Sequence, residues 1–309
     1  YATIERGDLR DILLFKKDSV NKKNINILTS SPRRSENLSV FLPMALPSQP
    51  NLINFLDVRG NIATRIEKLI ISEADGLVMA KVALDRIFQS QLNSSNLEKE
   101  KIKKIFNSLT WMILPLSKNP SAPAQGALAI EARSDDEETR SLLGKINDKG
   151  VFLSVSKERQ ILKNYGGGCH QKIGVSCESL KMGEVFTLKG ITENGEILDQ
   201  KEFSPHQKFK NQNLKGITNF YPEEGEKSLL FDRNEISESV STIESIKNSG
   251  IYVSRANALP KGVKIDPTNI IWTSGIETWE NLAKLGLWVN GSSDSLGEEQ
   301  CEAENILGN

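Results

Sequence analysis

Three consecutive glycines, Gly166-Gly167-Gly168, lead the chain to Cys169 and His170. A thiol on a loop stripped of side chains can bond to a large group lying against the backbone, because glycine admits backbone angles closed to other residues. The plain alternative is a turn carrying a small buried cysteine. His170 does not serve as a base for Cys169, since neighbours on an extended chain point to opposite sides and the imidazole would have to come from elsewhere. Cys169, Cys177 and Cys301 match no metal-ligand spacing and are too few for a disulfide scaffold, so no metal is expected.

A second group of candidates is cationic. Arg33 and Arg34 follow Thr29-Ser30-Ser31-Pro32, where Ser31 is a good helix N-cap and Pro32 a good first helical residue. The free N–H groups of a helix start attract anions, and arginines placed there oppose the helix dipole, which points to a bound carboxylate or phosphate as their reason. Arg59 precedes Gly60-Asn61 at the start of another helical run, with Arg65 one turn inside it, and Arg86 lies on a third. Forked carboxylate binding suits arginine better than lysine.

The elements that would position these residues repeat as strand then helix. Ile25-Asn26-Ile27-Leu28 leads to the helix at Pro32, residues 52–56 lead to a helix capped by Asn61, and residues 75–80 lead to a helix over 81–88. Three such units predict an α/β fold, a doubly wound parallel sheet with ligands at the carboxyl ends of its strands. Asp11-Ile12-Leu13-Leu14-Phe15 reads as a strand with no partner nearby. Residues 97–109 form a lysine-rich amphipathic segment, 111–116 a short strand, and Asn119-Pro120-Ser121-Ala122-Pro123-Ala124 a linker. A strand over 125–131 and a helix over 135–146 follow. A helix over 151–165 then reaches the glycine loop. The strands beyond it, with an Asn194-Gly195 hairpin turn, make a small α+β domain. Residues 206–250 read as linker, 251–255 and 270–275 as strands, and 277–285 as a helix ended by Gly286. The last dozen residues are acidic and read as frayed.

The 309 residues hold 39 Lys and Arg against 40 Asp and Glu, a net charge of -1, so bulk attraction to nucleic acid is not expected. No apolar run spans a membrane and no signal peptide is evident, which leaves a cytoplasmic setting as the default. The chain opens on Tyr1 without a start methionine and reads as a fragment.

Together these runs resemble the porphobilinogen deaminase (hydroxymethylbilane synthase) family. The matching segments are Thr29-Ser30-Ser31-Pro32-Arg33-Arg34, Arg59-Gly60-Asn61 with Thr64-Arg65, Asp75-Gly76 through Arg86, Ala122-Pro123-Ala124-Gln125-Gly126-Ala127 with Ile130-Glu131, and Gly167-Gly168-Cys169 with Ile173-Gly174, in family order. The resemblance implies a periplasmic-binding-protein-like doubly wound domain plus a small α+β domain bearing the cysteine. Its implied boundaries are a remnant of domain 1 at 1–20, domain 2 at 21–118, a crossover and return segment of domain 1 at 119–148, domain 3 at 149–205, and a linker at 206–250. A tail at 251–309 resembles part of a uroporphyrinogen-III synthase on Thr273-Ser274-Gly275-Ile276-Glu277-Thr278-Trp279, Leu282, Leu285-Gly286 and Trp288.

The resemblance further implies a dipyrromethane cofactor joined to Cys169 by a thioether. Thr29, Ser30, Ser31, Arg33, Arg34, Arg59, Gly60 and Gly168 would be around it, and Arg33, Arg59, Arg65, Arg86 and Gln125 would bind substrate. Porphobilinogen would lose ammonia to give an electrophile that the free end of the primer attacks, four times over, and hydrolysis would release hydroxymethylbilane in heme biosynthesis. The family's aspartate at the pyrrole nitrogens lies in a segment this sequence lacks, so no general acid or base is assigned. Gln171-Lys172 replaces the proline-containing step after the cysteine, and Ala83 stands where glycine is common. A monomer is expected, working with uroporphyrinogen-III synthase and with neither nucleic acid nor membrane. The competing expectations are a non-catalytic carboxylate-binding module, a cysteine-nucleophile transferase and an inactive fragment of the enzyme.

Overall fold

The computed structural model describes residues 2–89, 96–168, 170–206, 236 and 238–297. Its largest sheet has five strands: β2 (Asp11–Lys16), β3 (Asn24–Leu28), β4 (Leu52–Leu56), β5 (Gly76–Ala80) and β6 (Leu109–Ile113), in the order β4-β3-β5-β2-β6. β3 pairs in parallel with β4 and β5, as the repeated strand-helix units predict. The sheet is nevertheless mixed, because β2 lies antiparallel between β5 and β6. The strand that has no partner near it in sequence thus finds both neighbours further along the chain. Leu13 and Phe15 enter one core, Ile12 and Leu14 the other, and a run buried on both faces belongs inside a sheet.

Helices cover both faces. α1 (Pro32–Ala45) packs Leu38, Phe41 and Leu42 into the first core. α2 (Ile62–Ile71), α3 (Lys81–Gln89) and α4 (Asn96–Ser108) contribute Ile66, Leu69, Leu84 and Phe106 to the second.

The segment after β6 is short of regular structure. The strand expected over 125–131 shrinks to β7 (Ala129–Ile130), paired with β1 (Ala2–Thr3). The chain turns instead: Ala124 has φ 67° and Gly126 φ 84°, and a side chain on Gly126 would strike the carbonyl oxygen of Gly7 at 2.5 Å. α5 (Glu137–Ile146), capped by Asp136, and α6 (Lys149–Asn164), capped by Asp148, follow. α6 packs Ile161 and Leu162 against the antiparallel sheet of β8 (Lys172–Leu180), β9 (Gly183–Ile191) and β10 (Ile197–Pro205), whose core holds Ile173, Val175, Phe186 and Leu188.

Residues 207–235, within the predicted linker, lie outside the described residues, as does the acidic end from 298. The rest of the linker contains a helix, α7 (Glu238–Ser245). The tail forms a parallel sheet of β11 (Gly250–Val253), β12 (Ile270–Thr273) and β13 (Gly291–Ser292), with α8 (Ile276–Lys284). It is packed onto the five-stranded sheet. Ile113 N donates to Asn290 O at 2.7 Å, and Trp111 O accepts from Trp288 Nε1 and Asn290 Nδ2, both at 2.9 Å. Ile271 joins the first core and Trp272 the second, so both cores run on from one sheet into the other. Trp279 of α8 meets the Phe41 ring edge-on at 5.5 Å and donates to Ala45 O at 3.0 Å. No described helix is long and apolar enough to cross a membrane.

Candidate functional site

The carboxyl end of β3 delivers the first cluster. Ser31 caps α1 by accepting from Arg34 N, Thr29 N donates to Leu56 O at 2.9 Å, and Thr29 Oγ1 accepts from Ser31 N at 3.3 Å. Ser30 Oγ donates to Val58 O at 2.8 Å and accepts from Val58 N at 2.9 Å. The Ser30 hydroxyl ties the two strand-end loops together, whereas the Thr29 and Ser31 hydroxyls accept from backbone N–H groups of their own segment.

Arg33 and Arg34 converge on one carboxylate, that of Asp11 at the head of β2. Asp11 Oδ2 accepts from Arg33 Nη2 at 2.9 Å, Arg34 Nε at 3.0 Å and Asn119 Nδ2 at 2.9 Å; Oδ1 accepts from Arg34 Nη2 at 2.7 Å and Gln125 Nε2 at 3.0 Å. Burial alone would push the Asp11 carboxyl up, but the two guanidinium groups overturn this and hold it well below the usual carboxylate range. Arg33 is buried and also donates through Nη1 to Pro120 O at 2.6 Å and Asn119 Oδ1 at 3.3 Å. Gln125 donates in addition to Leu9 O at 2.6 Å. The hub thus ties α1, β2 and the crossover into one body. Sequence reasoning points to Arg33, Arg34 and Gln125 among its members and misses Asp11 and Asn119.

The other arginines stand apart from this hub. Arg59 is exposed, and its carbonyl accepts from Lys68 Nζ at 2.9 Å. Arg65 Nε donates to Gly60 O at 2.7 Å, which places both cations around the start of α2. A Cβ on Gly60 would press on Thr64 Cγ2 at 2.8 Å. Arg86 is exposed on α3 and reaches Gly126 O at 3.2 Å. It borders a cavity of about 1030 Å³ that Arg6, Asp8, Arg10, Lys81 and Glu178 also line.

Inside that cavity Asp8 accepts from Arg10 Nη2 at 2.7 Å and lies 3.3 Å from Lys81 Nζ. Burial opposes ionisation of Asp8, yet Arg10 and Lys81 prevail and lower its pKa to about 2. Asp85, 2.9 Å from Lys81, is shifted upward, chiefly by burial. Sequence reasoning singles out none of these groups. Lys81 and Asp85, four apart on a helix, are the part an i, i+4 scan would find.

At the far end of α6 the glycine loop has the geometry expected of it. Gly166, Gly167 and Gly168 have φ of 95°, 67° and 97°, a left-handed run that side chains disfavour. A Cβ on Gly168 would also meet His170 Cε1 at 2.7 Å. Cys169 itself lies outside the described residues. Cys177, by contrast, is buried in β8, and burial together with the Glu158 charge pushes its thiol up to about 12. Glu158 of α6 is forked by Arg6, Nη1 to Oε1 and Nη2 to Oε2 at 2.9 Å each, and also accepts from Ala124 N and Cys177 N at 2.7 Å. Arg6 Nε donates to Gln125 O at 2.9 Å. This pair fastens the N-terminal segment, the crossover and the cysteine-bearing domain together.

Residues 1–141 match the family model described as "Porphobilinogen deaminase, dipyromethane cofactor binding domain". Over this part the chain is similar to the porphobilinogen deaminases. It is 35% identical over 204 residues to the porphobilinogen deaminase of Caldicellulosiruptor saccharolyticus, covering 64% of this chain and 60% of that protein. The porphobilinogen deaminase of Clostridium novyi is 32% identical over 199 residues, 63% of this chain and 59% of the relative. The probable porphobilinogen deaminase of Methanocaldococcus jannaschii is 31% identical, with the same coverage. The chain therefore spans about 60% of the length of the curated relatives it matches.

Proposed function

We propose that this chain supplies the anion-binding and cofactor-bearing parts of a hydroxymethylbilane synthase, a transferase that joins four porphobilinogen units with loss of ammonia and releases hydroxymethylbilane for tetrapyrrole synthesis. The observation that carries this reading is the Arg33–Arg34 hub: two guanidinium groups around one buried carboxylate leave positive charge in surplus beside the crossover. Each pyrrole unit brings an acetate and a propionate, so a growing chain is a polyanion needing such a surplus.

The residues present fit a dipyrromethane cofactor. Three left-handed glycines approach Cys169, leaving no side chain before the sulfur in sequence, and arginines at two strand-to-helix junctions, with Arg86 in the last turn of α3, suit its acid arms. When bound by a thioether at Cys169, that group supplies the nucleophilic pyrrole end to which units are added. Arg34 at the hub, with Gly60, Arg59 and Arg65 at the start of α2, bind and orient carboxylate arms, and Arg86 does so at the cavity. Thr29, Ser30 and Ser31 hold the loops from which these arginines project. Gln125 fixes the crossover against Asp11. Cys177, with its thiol raised and buried, takes no part.

The same reading takes residues 21–118 as a doubly wound, periplasmic-binding-protein-like domain and 149–205 as the α+β domain carrying the cofactor. Residues 1–20 and 119–148 are read as parts of a further domain, domain 1. The tail from 251 is read as part of a uroporphyrinogen-III synthase-like unit that receives the product. A monomeric, cytoplasmic enzyme is the simplest setting. Intact-mass measurement on the freshly isolated full chain tests the proposal: an adduct of dipyrromethane mass, absent in Cys169→Ser, is expected, and a free thiol at Cys169 in the unaltered protein ends it.

A further inference from the structure

The geometry points to Asp11 as a specificity-determining residue: it sets the charge of the Arg33–Arg34 hub so that the hub accepts a monoanionic carboxylate and disfavours a dianion such as sulfate. This rests on the proposed function only in taking the ligand to be a carboxylate.

The charges and donors in the hub lead to that assignment. Arg33 and Arg34 contribute two positive charges and Asp11 one negative, leaving a surplus of one. Asn119 and Gln125 hold the same carboxylate through neutral amides, so they fix its position without changing the balance. Arg33 is occupied through Nη1 by Pro120 O and Asn119, and through Nη2 by Asp11. Arg34 gives Asp11 both Nε and Nη2, while its Nη1 has no hydrogen-bond partner among the described residues. The forked edge of Arg34 is thus already spent, and a ligand meets the other edge.

The Arg34 side chain keeps 12% of its exposure while those of Arg33 and Asp11 keep 5% and 0%, so Arg34 is the hub's outlet to a ligand. One carboxylate at that outlet neutralises the surplus. A dianion brings a second charge that no hub cation balances, with the Asp11 carboxylate just behind the guanidinium. Water is largely excluded there, so an entering dianion forfeits roughly four times the hydration of a monoanion of its size while the single surplus charge only doubles its attraction. A balanced arginine-carboxylate pair would attract no anion, and two arginines without Asp11 would favour the dianion. The intermediate charge is the selective one.

The test uses the full chain bearing Cys169→Ser, which keeps the hub clear of any adduct, and follows the NMR signals of the Arg34 guanidinium, assigned by their loss in Arg34→Lys. Acetate and sulfate are titrated separately at constant ionic strength made up with chloride. Acetate is expected to shift these signals at concentrations at least about tenfold below those of sulfate. Asp11→Asn should reverse that order. Sulfate acting at or below the acetate concentration, no response to either anion, or an unchanged order in Asp11→Asn overturns the assignment. Should Asp11→Asn fail to fold, the order in the chain that retains Asp11 decides alone. A free Cys169 thiol in the mass spectrum would end the proposed function and leave this titration standing.

Discussion

Among the described residues, the arginine-carboxylate assemblies at Glu158 and at Asp11 are both buried, and they differ in their arithmetic. At Glu158 one arginine meets one carboxylate, and the remaining lone pairs are taken by Ala124 N and Cys177 N. At Asp11 two arginines share one carboxylate, and part of Arg34 is left over. Both cross between distant segments, and neither is on the open surface. The balanced assembly has nothing left to offer a ligand and acts as a fastening. The unbalanced one carries a net charge at the end of a parallel strand, where ligands collect in α/β sheets. Counting charges within each cluster separates these roles better than exposure or proximity does.

Breaking the balanced assembly should have the largest effect. Glu158→Ala leaves Arg6 buried and unpaired, and urea unfolding should show a loss of about 3–5 kcal/mol, with part of it restored when Arg6 is also replaced by Met. The unbalanced assembly should respond in binding instead. Arg34→Ala is expected to weaken carboxylate binding by on the order of 2 kcal/mol, read by acetate titration, at a smaller cost in unfolding free energy.

Acid sharpens the contrast through Asp8. Its folded pKa of about 2 lies below the unfolded 3.8, so its contribution is present above pH 3.8 and lost as pH falls through about 2. Unfolding followed across that window should lose on the order of 2 kcal/mol, and Asp8→Asn should flatten that part of the profile. The smallest effect on stability belongs to exposed Arg59. Arg59→Ala should change unfolding free energy by no more than about 0.5 kcal/mol, so a larger change would mean that it, too, is a fastening.

Much of this layout is legible in the order of the amino acids. Ser31-Pro32 and Asn61 mark helix starts through local chemistry alone, and α1 and α2 begin where they indicate. The hairpin at Asn194-Gly195 is equally local. What escapes such reading is non-local. Glu158 and Arg6 are 152 residues apart, and nothing near either one announces the other. Asp11 does carry a signal: a charged residue opening a run as apolar as Ile12-Leu13-Leu14-Phe15 must be buried with it and needs a partner. The run itself reads as a strand, but its antiparallel neighbours come from about 60 and 100 residues further on, beyond the reach of periodicity. In the tail, Ile270 to Thr273 show no polar face, which is the mark of an interior strand and a signal of docking.

All four tryptophans of the chain sit along one seam: Trp111 on the sheet edge and Trp272, Trp279 and Trp288 in the tail that joins it. Intrinsic fluorescence of this protein is therefore a reporter of that junction, and it is silent about the cysteine-bearing domain, whose core contains Phe186 and Tyr165 but no indole. An emission shift on adding a pyrrole carboxylate would accordingly signal a change transmitted to the seam, whereas events confined to the glycine loop would pass unseen by light.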